Sequence, residues 1–196
     1  MWACSVGESF TLRIKLSALV IWLCFFTFDH RLYTFLLFLA MLCHEGGHLL
    51  CLYACGKRRV RMTLSAFGAE IYYAPALLSL KQELLVALGG VGINLVSAVM
   101  LLLFGVGQSC LYFAVASLTL ATLNLLPIKG LDGGRALDAV LLRFFAPERA
   151  YRLQKCISFS FIFPLFVLSV CVLVQSGFNF SLLLFTLYLT LTLLGK

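Results

Sequence analysis

The sequence predicts an all-α polytopic membrane protein with six transmembrane helices and a short cytoplasmic-side β-hairpin. Three observations carry that prediction. The 196 residues are 62% hydrophobic and only 12% charged, against about 45–50% and ~25% in a soluble domain, which excludes a soluble globular protein, a disordered chain and a nucleic-acid module. Mean hydropathy is +1.04, and the long uncharged runs Leu16–Phe28, Leu32–Cys55, Leu84–Val106, Ser109–Leu126, Ile157–Gln175 and Phe178–Leu194 number six. With six spans, fourteen of the fifteen basic residues fall on one side and only Arg31 on the other, a bias that places both termini in the cytoplasm.

Taken in order, Phe10–Leu16 alternates with period two and reads as a short strand leading into the membrane. The first span follows Arg13 and Lys15 as a signal peptide would, yet Phe28-Asp29-His30 offers no small-residue cleavage site, so the span is retained. After the second span, Val60–Tyr73 reads as two strands around a turn at Phe67 and Gly68, with an edge on which an extended chain can pair. Gly133–Phe145 places Leu137, Val140, Leu141, Phe144 and Phe145 on one face, as an interfacial helix does, and Pro147 is expected to break the chain after it. The basic cluster Lys57, Arg58, Arg59 and Arg61 reads as a topology signal facing anionic lipid headgroups. The eight cysteines lie mostly in or beside spans, where Cys acts as a small apolar residue.

Chemistry concentrates in the second span. His44-Glu45-Gly46-Gly47-His48 is an H-E-x-x-H sequence whose two histidines, four residues apart, project from one helix face and can ligate one zinc ion. Glu45 is turned about 100° from His44, outside the ligand set, where a general base would sit beside a Lewis-acidic metal. An acidic residue at membrane depth costs roughly 2.5–3.5 kcal/mol on insertion scales, so Glu45 calls for a compensating role.

A catalytic zinc needs a third protein ligand and an open position, and the candidates are His30, Glu70, Asp132, Asp138 and Cys51. His30 is ~20 Å along the helix from His44, too far to share a metal. Cys51, three residues after His48, shares its face and stays open as a ligand. Asp132 is the better candidate: Pro127 removes a helical donor, Gly130 permits a sharp turn, and Gly133-Gly134 lets another backbone approach closely.

His44-Glu-Gly-Gly-His48, with Asn124-Leu-Leu-Pro-Ile-Lys-Gly-Leu-Asp-Gly-Gly134 two spans later, resembles the site-2 protease family of intramembrane zinc metalloproteases. The compact arrangement looks most like the bacterial sporulation proteases that process a membrane-tethered pro-sigma factor. The resemblance covers roughly residues 12 to 156. It implies one zinc ion per chain on His44, His48 and Asp132, with Glu45 as the catalytic acid/base. It also implies a small-residue segment with an Asn on the intervening span, matched by Gly89-Gly90-Val91-Gly92-Ile93-Asn94, in which Gly89 and Gly92 are expected to pack against the second span. Asn124 matches the family's Asn ahead of the Asp motif, where it orients a substrate carbonyl or a ligand or serves as a structural cap. Leu125 stands where the family often has a second proline, which weakens the expected kink.

The expected organisation is a single membrane-embedded protease domain over 1–196, with a three-helix catalytic core at about 32–134 and no appended soluble domain. The expected partners are a membrane-tethered protein substrate, the lipid bilayer and membrane regulatory proteins, with no nucleic acid. Competing readings are an inactive relative that binds a client protein and a zinc or small-solute transporter; intact His44, Glu45, His48 and Asp132 speak against the first. No repeated halves are visible, which speaks against the second.

Overall fold

The computed structural model describes residues 2–6, 10–16, 19–20, 23, 27, 32–56, 60–65, 68–72, 78–177 and 179–195. In chain order these form β1 (Trp2–Val6), β2 (Phe10–Ile14), α1 (Tyr33–Ala54), β3 (Val60–Ser65), β4 (Gly68–Tyr72), α2 (Leu80–Phe104), α3 (Gln108–Leu125), α4 (Asp132–Phe144), α5 (Pro147–Ser176) and α6 (Ser181–Leu194).

Four helices, α1, α2, α3 and α5, are long and apolar enough to cross a membrane. Large apolar side chains face outward on them, such as Leu103 and Phe104 on α2 and Phe159 and Phe163 on α5, a surface that only lipid can cover over such an extent. The chain is a multi-pass membrane protein. The expectation of six spans is met in part. The first, Leu16–Phe28, lies largely outside the described residues, although Leu16, Leu19, Val20, Leu23 and Thr27 are helical. The last is α6, whose 14 residues extend only ~21 Å and begin three residues after the apolar run does, with Asn179 Oδ1 accepting from the Ser181 amide at 3.2 Å ahead of it.

The hairpin is part of something larger. β3 and β4 pair antiparallel with Ser65 opposite Gly68, so Gly68 is the first residue of β4; Ala66 lies outside the described residues, as does the expected turn residue Phe67. β2 joins β3 in parallel, Phe10 opposite Val60, and β1 joins β2 antiparallel, giving a mixed four-stranded sheet in the order β1-β2-β3-β4. The expected strand at residue 10 is therefore present, with β1 added to it. Parallel pairing requires a long crossover, here the whole stretch from Ile14 to Val60, which no local pattern reveals.

The described chain divides into two compact units, Met1–Ser79 with Gly89–Ala121, and Leu80–Leu88 with Thr122–Lys196. In the first, Ala40 of α1 packs with Phe113 and Ala116 of α3, and Tyr33 stacks on Tyr112 with ring centroids 4.4 Å apart. α1 also approaches α2 closely: a Cβ on Gly47 would overlap the carbonyl of Gly89, and one on Gly89 would lie 2.7 Å from Cys51 Sγ. Gly89 packs as expected, whereas a Cβ on Gly92 would meet nothing within 4 Å among the described residues, so Gly92 takes no part in that close approach.

The core of the second unit is Ile128, Leu131, Ile162, Leu189 and Leu193. α4 is amphipathic as expected, but Pro147 opens α5 at its first turn, where a missing N–H costs nothing. α5 then runs unbroken for 30 residues, ten of them ahead of the apolar run that begins at Ile157.

Candidate metal centre

Two turns of α1 set the first part of the centre. His44 and His48 are 5% and 3% exposed, and their Nε2 atoms lie 3.2 Å apart with the rings nearly perpendicular at 84°. Two nitrogens each about 2.0–2.1 Å from a tetrahedral zinc stand ~3.3 Å apart, so the pair is spaced as zinc ligands are. Glu45, next in the chain, is 9% exposed.

Room for that pair comes from α2. A Cβ on Gly90 would fall 2.5 Å from His48 Nε2 and 2.8 Å from His44 Nε2, on the two atoms that would hold the metal. Gly90→Ala is therefore expected to weaken metal binding by on the order of 10–100-fold, the range for groups that orient metal ligands. Gly46→Ala, whose Cβ would meet nothing within 4 Å among the described residues, is expected to leave metal affinity unchanged and to stabilise α1 by about 1 kcal/mol. Competition of each purified variant against a chromogenic chelator measures the difference. Equal affinities for the two variants would remove Gly90 from the centre.

In the second unit the backbone from Leu125 to Leu131 leaves α3 and turns sharply into α4. Gly130 takes φ +103, a conformation that disfavours any side chain. The turn is held from two helices: the Lys129 amide donates to Ser158 Oγ on α5 at 3.0 Å, and Thr192 Oγ1 on α6 donates to the Lys129 carbonyl at 3.5 Å. Gly133 and Gly134 lie so close to the backbone of Leu125–Lys129 that neither could carry a Cβ, and Gln154 Nε2 donates to the Gly134 carbonyl at 3.0 Å. These contacts fix Asp132 as the first residue of α4, 8% exposed, where the positive end of the helix favours a carboxylate. Arg135, one turn on, stands 3.8 Å from it.

Among the described residues one group of three side chains could hold a metal ion, His44, His48 and Asp132, with ligand atoms all within 4.8 Å of one another. Cys51 is not in it, and its Sγ packs instead beside Gly89. His30 lies outside the described residues, and Glu70 sits in β4 opposite Thr63. Asn94 is fully buried on α2 with Nδ2 3.4 Å from His44 Nδ1, and Asn124 occupies the last turn of α3.

Asp138 is also outside the group. Burial raises its carboxyl above the ordinary 3.8, with Glu83 adding to the rise and Gln154 and Lys129 opposing it. A folded-state pKa above the unfolded one adds stability at low pH that is lost as pH rises through the folded value. Asp138→Asn is therefore expected to raise the Tm of the metal-free protein in detergent at pH 7.5, the gain shrinking as pH falls through the raised pKa. A gain that grew on acidification would contradict that environment.

Sequence reasoning passed over Gly90, Ser158, Gln154 and Thr192. Gly90 had a signal, since it precedes Asn94 by one helical turn and so shares its face. The other three are ordinary polar residues in apolar runs, and only the fold reveals what they hold.

No protein-family model matches the chain, and no curated protein does. Among solved structures, the site-2 protease from Methanocaldococcus jannaschii superposes with a TM-score of 0.68, covering 98% of this chain and 93% of that one at 18% sequence identity. The likeness is one of fold.

Proposed function

We propose that this chain is an intramembrane zinc metalloprotease that hydrolyses a peptide bond of a membrane-tethered protein within or near the cytoplasmic side of the bilayer. The observation that carries the reading is the buried His44, His48 and Asp132 group in a chain with the fold of a site-2 protease. One zinc ion per chain, bound there, supplies Lewis acidity and brings water toward a pKa of about 7.

The chain's own residues do the rest. Glu45 takes the proton of the attacking water and returns it to the leaving amine, so that a peptide bond and a water become a carboxylic acid and an amine. His48 is six residues before the end of α1 at Ala54, or ~9 Å, so water reaches Glu45 from the cytoplasmic end of the helix. A helical substrate must unwind before attack because its carbonyls are hydrogen-bonded. The outer edge of β4, which begins at Gly68, receives the unwound segment by strand addition, with Phe67 next to it in the sequence as a further contact, and Asn124 orients its carbonyl. Regulated intramembrane proteolysis in a bacterial cell membrane, with both termini cytoplasmic, suits such an enzyme. A pro-sigma factor is the first substrate to try, and membrane proteins that control access are the expected regulators.

The test is cleavage of a tethered candidate by the purified protein in lipid vesicles. Activity should disappear with a zinc chelator and return with added zinc; activity indifferent to both would remove the metal from the reading.

A further inference from the structure

We infer that Asn94 is a positioning residue for the metal centre: its side-chain carbonyl accepts the Nδ1 proton of His44 and thereby commits His44 Nε2 to the metal. The inference rests on the zinc-site reading above and deepens it.

Asn94 lies one turn after Gly90 on α2, so the residue that clears space for the two Nε2 atoms and the residue beside His44 Nδ1 share one face. Its amide is 0% exposed, and one of its two polar atoms stands 3.4 Å from His44 Nδ1. The other, placed as Oδ1, has no hydrogen-bond partner among the described residues. Amide oxygen and nitrogen are assigned by the hydrogen-bond network, so the two orientations must be decided by what His44 requires.

The orientation as placed leaves Oδ1 without a partner among the described residues, and the metal decides between the two. The 3.2 Å separation of the two Nε2 atoms puts the metal on Nε2, not on Nδ1. An imidazole that binds through Nε2 in its neutral form carries its proton on Nδ1, and that proton needs an acceptor. Oδ1 of Asn94 is then the atom facing His44, and the freed Nδ2 hydrogens point into the buried space where Oδ1 had no partner.

The experiment is zinc affinity by chelator competition for wild type, Asn94→Leu and Asn94→Asp, each first shown to be folded without metal. Leu keeps the size and loses the acceptor, so its affinity is expected to fall about 10–100-fold. Asp keeps an acceptor at the same reach and is expected to bind zinc at least as tightly as wild type. Equal weakening in both variants, or no weakening in Asn94→Leu, overturns the inference. Nitrogen-15 NMR of zinc-loaded, histidine-labelled wild type decides it without any substitution. Protonated Nδ1 with metal on Nε2 of His44 is expected, and the opposite tautomer overturns it. A wild type that binds no zinc overturns the metal-site reading itself, which separates the two failures.

Discussion

Glu45→Gln is expected to keep its zinc and to cleave about 10²- to 10⁴-fold more slowly than wild type, the range for loss of a positioned acid/base. Glutamine fills the same space beside His44, but a neutral amide can neither accept a proton from water nor return one to the leaving amine. The site should thus stay assembled while the chemistry stops. Initial rates on a tethered substrate, normalised to the zinc content of each preparation, make the comparison. An undiminished rate at full zinc occupancy would show that the proton travels by another group.

Asp132→Ala should fail in the opposite way, losing the metal first and the activity with it. Two histidines remain in that variant, and the loss should at least match the 10–100-fold typical of an outer-shell group. His44→Ala is expected to behave alike. Elemental analysis after dialysis at a fixed zinc concentration distinguishes an empty site from a filled but slow one. Zinc at full stoichiometry in Asp132→Ala would return attention to Cys51, despite its packing beside Gly89.

Much of this was legible because a membrane leaves few polar residues without a purpose. His44, Glu45 and His48 stand out in an apolar span, and Pro127, Gly130 and the Gly133-Gly134 pair announce a turn whose glycines the structure shows to be required, Gly133 and Gly134 by close backbone contact and Gly130 by its positive φ. The long helices follow from the apolar runs, and the short strands β2, β3 and β4 from period-two alternation. What was not legible is non-local. The pairing of β2 with β3 joins segments some fifty residues apart, Phe10 with Val60, and β1 has no signal of its own. Gly92 looked equivalent to Gly89 in sequence, yet of the two only Gly89 comes up against α1. The start of α5 at Pro147 was hidden for a related reason, since a proline ends one helix and opens another with equal ease.

The most direct measurement is the mass of the products formed when wild-type protein in lipid vesicles meets a tethered substrate in water enriched with oxygen-18. Hydrolysis should create a new carboxyl terminus carrying one heavy oxygen, at a residue inside or at the cytoplasmic edge of the substrate's span. An intact substrate under zinc-loaded conditions, or products whose new ends all lie in its soluble part, would contradict intramembrane proteolysis.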